Sequence, residues 1–293
     1  MTQSARSSLG MRKPDWLKRR LPTGNAYEKV RTLLKKSQLH TVCQEARCPN
    51  LWECFSRQTA TFLIMGSRCT RNCRFCAIEQ GPLAPPDPHE PVRVAEAVQR
   101  MQLRYVVITS VTRDDLFDGG AGFFAETIRE IRKRTPECDV EVLIPDFQGA
   151  PDALMKVLAA RPNILNHNIE TVPRLYPVVR PGAVYQRSLD LLRQVKRHDS
   201  TIPTKSGLML GLGELAEEVH QVLQDLIGAG CSILTLGQYL QPSQEHLPVD
   251  RFIPPEEFDS WRETALEMGF SEVTSGPFVR SSYHAKELYE KLG

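Results

Sequence analysis

The sequence predicts an α/β protein: an incomplete (β/α)6-type barrel flanked by an N-terminal and a C-terminal extension. Three observations predict it. Short apolar runs of strand length alternate with longer stretches of helical periodicity about six times, and alternation on this scale implies a parallel sheet covered by helices. The units number fewer than the eight of a complete barrel. A cysteine cluster and a glycine pair fall just after strands, at the strand ends where parallel α/β proteins place their sites. A doubly wound open sheet is the alternative, because periodicity does not give strand order.

Taken in order, residues 1–24 form a charged lead-in ending at Pro22 and Gly24. Residues 26–36 have helical spacing, with Val30, Leu33 and Leu34 on one side. A cysteine-rich stretch occupies 43–54, and the first strand spans 59–65. Three cysteines sit in the loop 68–77, and a Pro-rich connection, 81–91, leads to a helix over 92–101 and a strand over 105–111. Gly119 and Gly120 precede a helix over 123–134; a strand over 140–144 stops at Pro145. Helix 152–160 and strand 164–169 follow. Helix 185–197 carries a stripe of Leu189, Leu192 and Val195, and strand 205–210 comes next. Helix 215–227 places Leu215, Val219, Val222, Leu223 and Leu226 on one face, before strand 232–236 and helix 254–268. The chain divides into an N-terminal extension (1–58), a barrel (59–253) and a C-terminal extension (254–293).

Six of the eight cysteines lie between Cys43 and Cys76. A disulfide framework suits a short secreted chain, and these 293 residues can bury a core without staples. Residues 1–10 lack an apolar signal core, and no apolar run has the length of a membrane span. The expected location is the cytoplasm, with reduced thiols free to bind metal, and no membrane partner is expected. Residues 1–36 carry ten Lys/Arg and two acids, a local +8, which leaves 27 basic against 33 acidic residues, or −6, in the remainder. Such a segment suits an acidic partner surface or is simply a solvated helix. No nucleic-acid motif accompanies it, so nucleic acid is not expected as a partner.

The loop Cys69-Thr-Arg-Asn-Cys73-Arg-Phe-Cys76 is C-x3-C-x2-C. Three thiolates in one loop can converge on one metal centre, and three rather than the usual four ligands of an iron–sulfur cluster leave one iron open. The alternative is zinc, which favours paired C-x2-C units and four protein ligands. A second triplet, Cys43, Cys48 and Cys54, is C-x4-C-x5-C. By itself it is also compatible with a structural zinc site completed by a histidine such as His40. Cys138 and Cys231 match neither triplet and read as small buried hydrophobes.

The first triplet, with an aromatic residue before its last cysteine, resembles the signature of the radical S-adenosylmethionine (SAM) superfamily. The two triplets in succession resemble those of lipoyl synthases. The likeness runs from about residue 12 and includes Pro14-Asp-Trp-Leu17, Glu45-Ala-Arg-Cys-Pro-Asn50, Thr109-Ser-Val-Thr-Arg-Asp-Asp-Leu116, Asn166-His-Asn-Ile-Glu-Thr171, Thr204-Lys-Ser-Gly207 and Val279-Arg-Ser-Ser-Tyr-His284.

The resemblance implies two [4Fe–4S] clusters and SAM as cofactors. Cys69, Cys73 and Cys76 would hold the cluster whose open iron binds SAM; its reductive cleavage releases a 5′-deoxyadenosyl radical. Cys43, Cys48 and Cys54 would hold an auxiliary cluster, completed by Ser282 in preference to Ser281. A serine oxygen is harder than a thiolate and is the easiest ligand to lose. Sulfur from that cluster would enter C6 and C8 of an octanoyl chain on a carrier lysine. The implied partners are octanoylated lipoyl carrier domains of 2-oxoacid dehydrogenase complexes or of the glycine cleavage carrier protein, and an electron donor such as flavodoxin or ferredoxin. Gly119 and Gly120 would contact the SAM amino group, and Asn168 and Glu170 its ribose or methionyl portion. Lys205, expected inside the barrel, would contact SAM or substrate, since a buried lysine needs a partner. Arg113, Asp114, Asp115 and Asp118 read as a loop-ordering ion network in preference to a Mg2+ or acid–base site. The neighbouring readings are another sulfur-inserting radical SAM enzyme of the biotin synthase or methylthio-transferring kind, an electron-transfer cluster protein, and a zinc protein.

Overall fold

A computed structural model describes residues 12–18, 26–57 and 60–291. Most of the expected lead-in, the extension boundary at 58–59 and Thr59 of the first expected strand lie outside the described residues. Helix α1 (Ala26–Lys36) buries Val30 and Leu34, with Leu33 half-buried. Strand β1 (His40–Thr41) leads into α2 (Val42–Glu45) and α3 (Leu51–Ser56), and the Thr41 hydroxyl accepts the Gln44 N–H to cap α2. The barrel follows: β2 (Thr61–Ile64), a small ladder of β3 (Arg68–Cys69) and β4 (Glu79–Gln80), α4 (Glu90–Arg100), β5 (Tyr105–Ser110), α5 (Ala121–Arg134), β6 (Asp139–Leu143), α6 (Pro151–Ala159) and β7 (Ile164–Asn166). The chain continues through α7 (Tyr176–Val179), α8 (Tyr185–His198), β8 (Thr204–Leu210), α9 (Ala216–Gly228), β9 (Ile233–Gln238), α10 (Pro255–Met268), β10 (Glu272–Gly276) and α11 (Ala285–Glu290).

The main sheet runs β1-β2-β5-β6-β7-β8-β9-β10. All its pairs are parallel except β1–β2, which is antiparallel with His40 opposite Leu63. Strand order follows chain order without a reversal. That excludes the doubly wound alternative, whose ligand crevice needs a switch point. The edge strands β1 and β10 do not pair with each other, so the barrel stays open. Nearly every residue of β2, β5 and β9 is buried, as a parallel sheet covered on both faces requires.

Three expectations shift. Strand β10 joins the main sheet although 254–293 was expected to be an extension outside the barrel. Its run Glu-Val-Thr-Ser-Gly holds only one strongly apolar residue, and only Val273 of it is buried. Strand β7 stops at Asn166 rather than at residue 169: side chains interrupt the ladder, with Ser206 Oγ accepting the Ile169 N–H at 3.1 Å and Arg180 taking the carbonyls of Asn168 and Ile169, before one further bridge pairs Glu170 with Leu208. Leu215 precedes α9 as its N-cap and is exposed, while Val219, Val222, Leu223 and Leu226 are buried as expected. At the other end of the barrel, Ala285 and Leu288 of α11 pack against Tyr105, Val107, Ile164 and Ile233. Three of these begin their strands, so α11 closes the N-terminal ends and leaves the C-terminal ends for a site. No helix among the described residues is long and apolar enough to cross a membrane.

Candidate active site

A single cavity of about 1050 Å3 occupies the barrel interior and its mouth. All six triplet cysteines line it, together with Asn168, Glu170, Ser281 and Ser282. Residues more than 200 positions apart, such as Cys43 and Ser282, therefore line one cavity. None of the cysteines is in a disulfide.

The 69–76 loop is anchored on every side. The β3–β4 ladder pairs Arg68 with Glu79 and Cys69 with Gln80. Thr70 N–H and Oγ1 both donate to the Thr112 carbonyl, at 3.0 and 2.9 Å. Arg71, between the first two cysteines, forks onto Asp114 (Nε to Oδ2 2.7 Å, Nη2 to Oδ1 3.0 Å) and reaches Asp146 Oδ1 at 2.5 Å. These are half-buried, charge-assisted bonds, the fork onto Asp114 being bidentate, the strong kind. Burial alone pushes the Asp146 carboxyl up; the bonds and charge of Arg71 outweigh it and leave it at about 2. Further round, Arg74 N–H donates to the Val179 carbonyl, and His246 Nε2 donates to the Cys76 carbonyl at 3.0 Å.

The second triplet is held differently. Cys43 lies in α2 and Cys54 in α3. Their segment is tied to the far end of the chain: Asn50 Nδ2 donates to the Phe278 carbonyl at 2.7 Å, and the Tyr283 hydroxyl donates to the Glu53 carboxylate at 3.0 and 3.1 Å. The C-terminal strand-and-turn threads deep into the barrel. A Cβ on Gly237 would stand 2.2 Å from the Val279 carbonyl oxygen, and one on Gly207 would stand 3.0 Å from Ser281 Oγ. Both strands carry glycine where the tail lies closest. Ser281 is engaged with Asn168, donating to its Oδ1 at 2.9 Å and lying 2.6 Å from its Nδ2. Ser282 lines the cavity beside it.

The donor set fits iron–sulfur clusters. Burial, with the neighbouring thiol Cys48 adding to it, pushes Cys43 up to about 12; burial pushes Cys76 up to about 12 and raises Cys73. Such thiols stay protonated at neutral pH unless a cation compensates them, and a coordinated metal does so outright. Cys69 Sγ already accepts N–H groups from Arg71 at 3.4 Å and Thr112 at 3.3 Å, the kind of bond that tunes a cluster sulfur. Among the described residues no three Cys, His, Asp or Glu side chains are grouped for one metal ion; the thiols stand around open space, as ligands at separate corners of a cluster must. Three polar atoms of cavity-lining residues, Asn50 Oδ1, Ser110 Oγ and Arg180 Nε, are buried without a partner among the described residues, which suits a polar cofactor.

The expected SAM contacts divide. Asn168 and Glu170 line the cavity, and Asn168 Nδ2 donates to Glu170 Oε1 at 3.0 Å. Burial raises the Glu170 carboxyl, against the charge of Arg180. Gly119, Gly120 and Lys205 do not line it. Gly119 and Gly120 are left-handed (φ +59° and +89°) and lie against Phe147 and Met65, a close approach that glycine permits. Lys205 is fully buried below the cavity, and its Nζ is taken by Glu141 at 3.1 and 3.2 Å, with Tyr105 OH (2.6 Å) and Asn166 Nδ2 (2.9 Å) completing the carboxylate's shell. Its partner is a core carboxylate. The acidic loop is an ion network as expected: Arg113 forks onto Asp115 at 2.8 and 2.7 Å, and Asp118 accepts from Gly120, Gly122 and Lys156. Cys138 and Cys231 are buried, their thiols pushed up to about 12 by burial, and neither lines the cavity.

Sequence reasoning missed Arg71, Arg180, Glu53 and Asn50. The signal for three of them was present, since they fill the spaces within the cysteine triplets; Arg180 had none. Its Nη1 donates to the carbonyls of Asn168 (3.0 Å) and Ile169 (3.1 Å), and its charge lies beside Cys73 and Glu170.

Comparison with known proteins adds identity to this geometry. The family model of the radical SAM superfamily matches residues 63–226, and that of the N-terminal domain of lipoyl synthase matches residues 3–48. The chain is similar to a lipoyl synthase of Desulfotalea psychrophila, 61% identical over 279 residues that cover 95% of this chain and 93% of the relative. A lipoyl synthase of Methylococcus capsulatus is 56% identical over 284 residues, covering 97% and 88%. Among solved structures, methylornithine synthase superposes with a TM-score of 0.55 at 15% identity, covering 85% of this chain and 81% of that one. A maturase of the [FeFe]-hydrogenase gives 0.55 at 13%, covering 91% and 75%. At such identities these two show the fold alone.

Proposed function

This chain belongs to the lipoyl synthase family of the radical SAM superfamily, and on that premise we propose how its residues divide the work. It is a radical SAM sulfurtransferase that inserts sulfur into an octanoyl chain held by a lipoyl carrier protein, with SAM and [4Fe–4S] clusters as cofactors. When bound, these groups supply the 5′-deoxyadenosyl radical and the sulfur.

Cys69, Cys73 and Cys76 hold the SAM-binding cluster; Cys43, Cys48 and Cys54, with Ser282, hold the auxiliary one. The observation that carries this division is that both triplets and the serine pair line one cavity. Ser281 is engaged by Asn168, which supports Ser282 as the ligand. Arg180 lines the cavity with its charge beside Glu170 and would meet the SAM carboxylate, a charge-assisted contact. Asn168 and Glu170, joined to each other by a hydrogen bond, would orient the ribose or methionyl portion. Arg71 fixes the loop that would hold this cluster by tying it to Asp114 and Asp146.

The carrier is a lipoyl domain of a 2-oxoacid dehydrogenase complex or the glycine cleavage carrier protein, and flavodoxin or ferredoxin supplies electrons. The basic N-terminal segment docks an acidic carrier face, and the reaction takes place in the cytoplasm. Charge reversal across that segment with full activity on the carrier would remove the docking role.

The test is anaerobic purification with iron, sulfide and zinc measured per chain, followed by reductant, SAM and an octanoyl-lysyl peptide. Two clusters, 5′-deoxyadenosine and sulfur-bearing peptide are the expected result. SAM cleavage without thiolated peptide moves the substrate to another sulfur-inserting reaction. Zinc in place of iron ends the cluster assignments.

A further inference from the structure

The cysteine loop leaves β2 through a left-handed turn. Met65 has φ +66° and Gly66 φ +92°. A non-glycine residue keeps such a conformation only where its surroundings impose it. Here both backbone polar groups of Met65 are taken by buried side chains from separate elements. Its N–H donates to Glu90 Oε2 at 2.6 Å, from the first residue of α4. Its carbonyl accepts from Arg113 Nη1 at 3.4 Å, from the loop after β5. Glu90 and Arg113 are 4% and 3% exposed.

Burying a carboxylate is costly unless it is used. The Met65 N–H is the one hydrogen bond the Glu90 side chain makes among the described residues. Arg113 is itself aimed by its fork onto Asp115. The third restraint is steric. A Cβ on Gly120 would stand 2.2 Å from Met65 Sδ and 2.4 Å from its Cε, so the glycine leaves room for the side chain of the gripped residue.

We propose that Glu90 and Arg113 are positioning residues that grip the Met65 peptide and set the direction in which the 69–76 loop leaves the barrel, with Gly120 reserving the space for Met65. The grip is a property of the protein alone. Its catalytic meaning rests on the assignment of Cys69, Cys73 and Cys76 to the SAM-binding cluster. Cys69 is four residues beyond Met65, and few rotatable bonds separate the clamp from the first ligand.

The experiment compares Glu90→Leu, which removes the acceptor, with Glu90→Gln, which keeps one. Deuterium exchange is followed on the full iron-free, reduced chain. Glu90→Leu is expected to speed exchange of the 65–76 segment about tenfold, the effect of orphaning one buried donor, with α9 unchanged. Glu90→Gln is expected to restore native protection. In the reconstituted protein, the change that SAM causes in the electron paramagnetic resonance signal of the reduced cluster should shrink in Glu90→Leu and return in Glu90→Gln. Unchanged loop exchange in Glu90→Leu, or faster exchange spread equally over α9, overturns the proposal. So does a native SAM response in Glu90→Leu. Absence of any SAM response in the unsubstituted protein counts against the cluster assignment, while the exchange data still judge the grip.

Discussion

The two cysteine triplets reach the same cavity by opposite routes. The 69–76 loop is local. It springs from one strand, and its neighbours along the sheet hold it: Thr112 and Asp114 after β5, Asp146 after β6, Val179 in α7. The 43–54 segment belongs to short helices, and its partners come from the C-terminus, 228 residues away for Asn50 and 230 for Glu53. A site borne by a barrel inherits the rigidity of the sheet. A site assembled from the two ends of the chain depends on both ends staying docked, and elements with few buried contacts open at lower cost.

The largest test of the comparison separates the two sites chemically. Cys69→Ala should lose one cluster and abolish both SAM cleavage and thiolated product. Cys54→Ala should lose one cluster, keep SAM cleavage and abolish product. Iron content with product analysis checks both; parallel loss of SAM cleavage in Cys54→Ala would mean the sites are not independent.

Acid should strike the barrel-borne side. His167 Nδ1 donates to the Ile144 carbonyl at 2.8 Å, so its Nε2 must accept from Ser188 Oγ at 2.9 Å. Burial, then the charge of Arg180, lowers this imidazole from 6.5 to about 4. The folded state therefore resists a proton that the unfolded chain takes up. The stability this provides is complete above pH 6.5 and falls as pH drops toward 4, by about 3 kcal/mol in all. Thermal unfolding across that range should show the loss, and His167→Gln should lack this part of the slope.

A smaller effect should fall on the assembled side. Gly237→Ala places a methyl group against the Val279 carbonyl and should displace the tail, destabilising the protein by about 1–3 kcal/mol. It should lower auxiliary-cluster loading while sparing SAM cleavage. Smallest, Tyr283→Phe removes the hydroxyl bonded to Glu53 and should cost about 1–2 kcal/mol. Calorimetry and iron analysis check it: equal weakening of both clusters would show that the tail supports the whole barrel rather than one site.

The sequence carried the alternation of strands and helices and both triplets, because period and spacing are local properties of the chain. It did not carry β10, whose single buried position leaves no apolar pattern to read. Lys205 illustrates another limit. Its burial was legible as a lysine in an apolar strand, but its partner Glu141 lies 64 residues earlier on a strand two places along the sheet. Gly119 and Gly120 were legible as glycines that something approaches closely; that the visitors are Phe147 and Met65 required the packed structure.

By itself, then, the sequence determined the ligand types, their spacing within each triplet and the parallel α/β class. The spacing of thiols within a few residues is set by covalent geometry and survives in any fold. Only the tertiary structure decided that the two triplets face one cavity, that Asn50 and Glu53 meet the C-terminal tail, and that the charge of Arg180 lies beside Glu170 and Cys73. Those are contacts between distant segments. They exist only because strand order follows chain order around the barrel and encloses one cavity that both chain extensions reach.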